Sequence, residues 1–136
     1  MEKTIVVLMA LCMLLVPGRL MAASFDGSSP MACAVIEAFE CSLEKDCFEV
    51  TVETMNIPQF IKVDVANKKI SSPEESENKK ETAIRNVNHN NGSLILQGAE
   101  NGRGWSMIIA EDTGKMSGAI SEAKAGFIIF GACMLN

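Results

Sequence analysis

Residues 93–133, SLILQGAENGRGWSMIIAEDTGKMSGAISEAKAGFIIFGAC, decide the fold. Apolar runs of strand length alternate here with short segments rich in Gly, Asn, Asp and Thr. Asn-Gly and Thr-Gly steps between apolar runs are strong short-range hairpin signals. The predicted strands are residues 93–97, 105–110, 116–121 and 126–133. This half of the chain is therefore predicted to be an antiparallel meander.

Two further strands and one loop are predicted upstream of this meander. Residues 60–65, FIKVDV, alternate apolar and charged side chains, which is typical of a half-buried strand. Residues 82–88 form another predicted strand, joined to the next one through the Asn91-Gly92 turn. Between them, residues 71–81, SSPEESENKKE, contain no apolar side chain and are predicted to form a mobile, exposed loop.

Residues 31–43, MACAVIEAFECSL, fit two periodicities. Helical spacing places one set of apolar side chains on a common stripe: Cys33, Ile36, Phe39 and Leu43. Strand spacing places another set on one face of a strand: Cys33, Val35, Phe39 and Cys41. We expect the strand, paired in a hairpin with residues 48–52.

The cysteines predict two disulfides. Cys12 lies in an apolar N-terminal run, and four others remain: Cys33, Cys41, Cys47 and Cys133. An even number of cysteines in a small exported domain is typical of a disulfide framework. In a closed meander the first and last strands are neighbours, so we predict the pairs Cys33–Cys133 and Cys41–Cys47. A helix at residues 31–43 would instead allow a Cys47–Cys133 pair.

The first residues have the order of a secretory signal peptide. Lys3 precedes an apolar run at residues 4–16, and small residues follow at Ala22 and Ala23. The run is shorter than the roughly 20 residues that a membrane helix needs. We predict a signal peptide at 1–23, a flexible lead-in at 24–30 and a single β-domain at 31–136. The expected location is the bacterial periplasm or the medium, with no membrane span after cleavage.

Composition and spacing argue against nucleic acid binding and catalysis. The chain has 17 acidic and 12 basic residues, a net charge of −5, and no basic stripe that could neutralise phosphates. The single histidine, His89, lies in a polar turn segment without a nucleophile that it could activate. No CxxC spacing of zinc ligands occurs. We expect a non-enzymatic protein that needs no metal or cofactor.

Trp105 and Arg103 are candidate ligand-binding residues. Trp105 is the only tryptophan, and strand spacing places it on the same face as Met107 and Ile109. This shared face predicts that Trp105 packs in the core, and a contact with a ligand is the alternative. Arg103 precedes Trp105 at the turn, where it would offer a charged contact at the mouth of a barrel.

Ile128 and Phe130 are candidate partner-binding residues. They alternate with Phe127 and Ile129 in the last strand, so this strand is apolar on both faces. A strand with one wet face should alternate with polar residues, and we therefore expect both faces to be covered. The cover is either another part of this chain or a partner that docks on the exterior.

The pattern LILQG–NGRGWS–TGKMS–GFIIFGAC resembles small exported bacterial proteins of uncharacterised function. The similarity spans residues 33–133. The resemblance implies a location in the bacterial envelope and a structural role for Cys133, because a cysteine closes the last strand of those proteins too. It implies no activity, ligand or catalytic residue.

Together these patterns predict an all-β protein with two disulfides. The expected architecture is a small antiparallel barrel or sandwich of seven to eight short strands, a lipocalin-like meander. The predicted function is non-enzymatic binding of a small apolar ligand or an envelope protein. The alternative is an envelope structural or accessory protein that self-associates as a homodimer through its C-terminal strand.

Overall fold

The computed structural model describes residues 23–136, and all regular secondary structure in this range is β-strand. The predicted signal peptide lies, except for Ala23, outside the described residues. The strands are β1 (Met31–Ser42), β2 (Lys45–Glu49), β3 (Phe60–Asp64), β4 (Lys69–Ser71), β5 (Glu81–Ala83), β6 (Asn86–Asn90), β7 (Ser93–Glu100), β8 (Arg103–Ala110), β9 (Lys115–Ser121) and β10 (Ala125–Leu135).

The strands form one antiparallel sheet that curls into a half-barrel. Their order is β5-β4-β3-β1-β10-β9-β8-β7-β6, and β2 pairs with the part of β1 that β3 leaves free. The curl brings the segment after β5 beside β7, where the N–H of Arg85 donates to the carbonyl of Gln97 at 2.8 Å. The all-β antiparallel prediction is confirmed, with the core on the inner face of the curl.

The described residues form ten strands rather than seven or eight. Lys69–Ser71 is a strand of three residues that the sequence pattern did not indicate. The single strand predicted at 82–88 is divided into β5 and β6. This division lets one stretch of chain pair first with β4 and then with β7, on opposite edges of the sheet.

Two-residue turns join β6 to β7 and β7 to β8, as the Asn-Gly steps predict. Asn91 and Gly92 have φ of 50° and 76°, and Asn101 and Gly102 have φ of 48° and 78°. Positive φ at both central residues matches the right-handed twist of the flanking strands, and Asn and Gly adopt it at the lowest steric cost.

A β-bulge changes the faces of β1. Val35 pairs with Gly131 and Glu37 with Phe130, so Ile36 has no partner and the alternation of side chains shifts there. The strand prediction is confirmed, but the prediction that Phe39 and Cys41 share the face of Cys33 and Val35 is wrong. A bulge adds one residue to one strand, which a strict period of two cannot anticipate.

Both predicted disulfides are present. Cys33 and Cys133 are directly paired residues of β1 and β10, with a Cα–Cα distance of 3.9 Å. Cys41 and Cys47 close the β1–β2 hairpin, with a Cα–Cα distance of 4.1 Å. Two disulfides are compatible with an extracellular or periplasmic protein, because such bonds persist in oxidising compartments.

Residues 24–30 cross one end of the half-barrel, where β1 and β7 begin; we call this the plugged end. The N–H of Phe25 donates to the carbonyl of Glu111, and the Phe25 ring packs against the core. A Cβ on Gly27 would lie 2.8 Å from Val65 and 3.3 Å from Leu94, so the backbone here touches core side chains. This segment was predicted as a flexible lead-in, and its flexibility stays a prediction.

Residues 23–136 contain no helix with the length and hydrophobicity needed to span a membrane.

Candidate functional site

A cavity of about 700 Å³ opens at the end of the half-barrel opposite the plugged end; we call this opening the mouth. A volume of this size is in the range that holds a small organic ligand. The apolar side chains of its inner wall come from strands all around the curl: Val35, Ile61, Ile70, Met107, Ile120 and Ile129. Polar residues line its rim: Asn56, Lys79, Lys80, Thr82, Glu100, Arg103 and Glu122. The arrangement is an apolar interior with a polar opening.

Burial of the inner side chains differs between the two ends of the half-barrel, and the cavity lies at the mouth. The side chains nearest the plugged end, such as Leu94 and Ile109, are 0% exposed. Ile61 and Ile70, which line the cavity, keep 8% and 7% of their surface accessible. At the mouth, the segment before β3 packs against the core through the fully buried Met55 and through Ile57, and the cavity lies beside this segment.

Arg103 lies at the mouth and connects three parts of the chain. Its Nε donates to Glu122 at 2.8 Å, and one terminal nitrogen donates to the carbonyl of Met55 at 2.9 Å. Its guanidinium carbon lies 5.8 Å from the centre of the Phe127 ring, within the range of a cation–π contact. The structure therefore places Arg103 on the rim of the cavity, with its charge largely engaged by Glu122.

Trp105 forms part of the cavity wall next to Arg103. Its ring lies over Gly98, where an added Cβ would be 2.3 Å from the nearest ring atom. Its indole Nε1 donates to the hydroxyl of Thr82 in β5 at 3.2 Å. A glycine opposite the tryptophan and a hydroxyl partner together hold the ring flat against the wall, where it is half-buried and borders the cavity.

Lys80 approaches the mouth from the loop between β4 and β5. Its ammonium donates to the backbone carbonyl of Asn56 at 2.6 Å and to the side-chain oxygen of the same residue. The backbone of Lys80 is held by Ser72 through two hydrogen bonds, of 2.9 and 3.0 Å. Asn56 and Lys80 therefore join the segment before β3 to the loop before β5, along one side of the rim.

Ile128 and Phe130 lie on the outer face of β10, away from the cavity. They are 38% and 44% exposed, and the described residues cover them only in part. The expectation that the chain covers both faces of this strand is therefore wrong for residues 23–136. Phe39 packs edge-on against Phe130 at a ring distance of 6.4 Å, and Ile108 is exposed on the same face.

His89 lies in β6 at the plugged end, opposite Leu94, and its Nδ1 is 2.6 Å from Oε1 of Glu111. Both side chains are accessible to solvent, and this pair is separate from the cavity. The described residues contain no group of three or more His, Cys, Asp or Glu side chains that could hold a metal ion.

The sequence named Arg103 and Trp105 but missed the other residues of the rim. Asn56, Lys80 and Thr82 lie in segments without a recognisable pattern, and only the curl of the sheet brings them to β8. Lys80 and Asn56 are 24 positions apart, and Arg103 and Met55 are 48 apart. In the sequence, only the loop at 71–81 pointed to this part of the rim, because its two lysines, Lys79 and Lys80, directly precede a strand.

No protein-family model, curated protein or solved structure matches this chain, so its site is interpreted from its own geometry. The resemblance of residues 33–133 to small exported bacterial proteins stays a prediction.

Proposed function

We propose that this protein is a non-enzymatic binding module, exported to the periplasm or the medium, that holds a small apolar molecule in its cavity. The observation that carries the proposal is the cavity of about 700 Å³ with an apolar wall and a polar rim. Burying a ligand there removes apolar surface from water on both sides, which stabilises the complex by roughly 25 cal/mol per Å² before the costs of association.

Trp105 makes the proposal directly testable. It is the only tryptophan of a chain that has no tyrosine, so tryptophan emission reports on the cavity wall alone. We expect the neutral fluorophore N-phenyl-1-naphthylamine to bind with increased emission of its own and a change in the emission of Trp105. Saturable binding at one molecule per chain supports the proposal.

A variant that fills the cavity locates the binding site. Ile70→Phe adds a ring to the inner wall and should weaken probe binding by about tenfold, equivalent to about 1.4 kcal/mol. Ile108→Phe is the matched control, because Ile108 lies on the outer face of β8. Equal effects of the two substitutions would contradict binding inside the half-barrel.

A second candidate function is self-association through the outer face of β10. The observation that favours it is the set of exposed apolar side chains on this face, Ile108, Ile128 and Phe130, with the half-buried Phe39 against Phe130, since exposed apolar surface often marks an interaction site. Under this hypothesis the protein is a homodimer in solution, and Ile128→Lys or Phe130→Lys makes it monomeric. Leu43→Lys, at the tip of the β1–β2 hairpin, is the control that should change nothing. Sedimentation velocity distinguishes these outcomes.

A further inference from the structure

Lys80 presents a charge at the mouth that only neutral groups contact. Its ammonium donates to two oxygens of Asn56, a backbone carbonyl and a side-chain amide. No carboxylate of residues 23–136 is within ion-pair distance of it. A hydrogen bond between an ammonium and an anion is about twice as strong as one to a neutral acceptor. An anionic group that reached the rim would therefore compete well with Asn56 for this ammonium.

The position of Lys80 is fixed before any ligand arrives. Its backbone N–H and carbonyl are both bound by Ser72, whose side chain is the only buried polar one among residues 23–136. These two hydrogen bonds between Ser72 and Lys80 close the base of the loop between β4 and β5. Because the backbone of Lys80 is already held, only its side chain has to reorient to meet a ligand, which favours affinity.

Two of the three carboxylates that line the cavity pair with cations other than Lys79 and Lys80. Arg103 and Glu122 pair with each other at 2.8 Å, and Glu81 pairs with Lys69 at 3.2 Å. Of the charged residues that line the cavity, these pairs leave Lys79, Lys80 and Glu100. The lining is balanced in charge, with three cations and three carboxylates, so the attraction for an anion is local to Lys79 and Lys80.

We propose that the ligand is an amphipathic anion, a molecule with one acidic head and an apolar chain. This inference rests on the proposed function and specifies its ligand class. The apolar chain occupies the interior between Ile61, Ile70 and Ile129, and the acidic head replaces Asn56 at the ammonium of Lys80, with Lys79 beside it. Carboxylate, sulfate and phosphate heads share the required chemistry.

The test compares ligands that differ only at the head. Dodecanoate and dodecanol have the same chain, and each displaces N-phenyl-1-naphthylamine from the cavity if it binds there. At neutral pH and 0.15 M salt, we expect dodecanoate to bind about tenfold more tightly than dodecanol, as one charge-assisted contact allows. Dodecyl sulfate should share this preference and dodecyltrimethylammonium should lack it.

Two variants that each lose one positive charge test whether the preference for dodecanoate over dodecanol arises at the rim. In Lys80→Met we expect the preference for dodecanoate to fall to about twofold or less, while binding of the neutral probe is kept. Lys115→Met removes the same charge from the start of β9, near the plugged end, and should keep the full preference. Retained probe binding shows that each variant is folded around an intact cavity.

The outcomes separate this inference from the function on which it rests. Equal affinity for dodecanoate and dodecanol, with the probe still bound, overturns the acidic head and leaves the binding module intact. Tighter binding of dodecyltrimethylammonium than of dodecanoate also overturns the acidic head, because Glu100 would then hold a cationic head. An equal loss of preference in Lys80→Met and Lys115→Met also overturns it, because total charge would then be the cause. Failure of the probe and of every ligand to bind refutes both proposals.

Discussion

The two ends of the half-barrel are formed by the same strands, yet one is closely packed and the other holds a cavity beside the buried Met55. At the plugged end, Phe25 and Gly27 lie across the inner face, and Leu94 and Ile109 beneath them are fully buried. At the mouth, the inner face borders a cavity of about 700 Å³. The inner face of β8 runs from Ile109 and Met107 to Trp105 and Arg103, so it becomes polar at the mouth, and different segments cover the two ends.

This difference assigns separate roles to the two ends. Full burial with close packing gives the largest stabilisation per side chain, so the plugged end should carry most of the stability. An accessible apolar wall contributes less to folding and remains available to a ligand. Substitutions at the plugged end should therefore change stability, and substitutions at the mouth should change binding.

The largest expected difference is between the two disulfides. Cys33–Cys133, at the plugged end, closes a loop with a sequence separation of 100 and should contribute about 4–5 kcal/mol, whereas Cys41–Cys47, with a separation of 6, should contribute about 2 kcal/mol. Urea unfolding of Cys33→Ser, Cys133→Ser and Cys41→Ser measures both. The double variant Cys33→Ser/Cys133→Ser should be no less stable than either single variant, because both remove one bond. Additive losses would contradict this pairing.

The next comparison truncates matched isoleucines, one at the plugged end and one in the cavity wall. Ile109→Ala at the plugged end should cost about 4 kcal/mol, since the fully buried site cannot collapse around the lost atoms. Ile61→Ala in the cavity wall should cost about 2 kcal/mol, because its side chain already borders the cavity. The free energies of unfolding from urea titrations give the comparison. Equal costs would show that the cavity wall is packed as closely as the plugged end.

A smaller effect is expected where the wall of the mouth is tightest. Gly98→Ala places a Cβ within 2.6 Å of the Trp105 ring and of the Ala83 carbonyl, so it should cost about 1–3 kcal/mol and change the emission of Trp105. Gly104→Ala is the control in the neighbouring strand, because nothing lies within 4 Å of its added Cβ. Thermal unfolding and emission spectra of the two variants check this. A neutral Gly98→Ala would mean that the ring does not rest on β7.

The smallest expected effect concerns the partner of Trp105. Thr82→Val keeps the shape of the side chain and removes the hydroxyl that accepts the indole N–H, which should cost about 1 kcal/mol. The emission maximum of Trp105 should shift as the ring loses this contact with β5, and ligand affinity should fall with it. Unchanged emission and affinity would show that β5 does not position the ring.

The sequence predicted the elements that depend on local chemistry. The hairpins around Asn91-Gly92 and Asn101-Gly102 follow from turn residues that accept positive φ. The pairing of Cys33 with Cys133 follows from a meander whose first and last strands are neighbours. These features need only the order of strands and the type of turn.

The sequence did not predict the elements that depend on long-range contact. The bulge at Ile36 inverts the faces of the second half of β1, and its one trace in the sequence is the charged Glu37 at a position that strict alternation assigns to the apolar face. Strands β4 and β5 have three residues each, too few to show a period. The site shows the same division, because Arg103 and Trp105 follow a recognisable turn whereas Asn56, Lys80 and Thr82 reach the mouth only through the curl of the sheet.

Native mass spectrometry of the protein isolated from the cells that make it tests the central claim most directly. The account predicts a monomer that carries one small molecule, lost on denaturation, whose chemistry is an apolar chain with an acidic head. A ligand-free species at twice the monomer mass would contradict the account and favour association through Ile128 and Phe130.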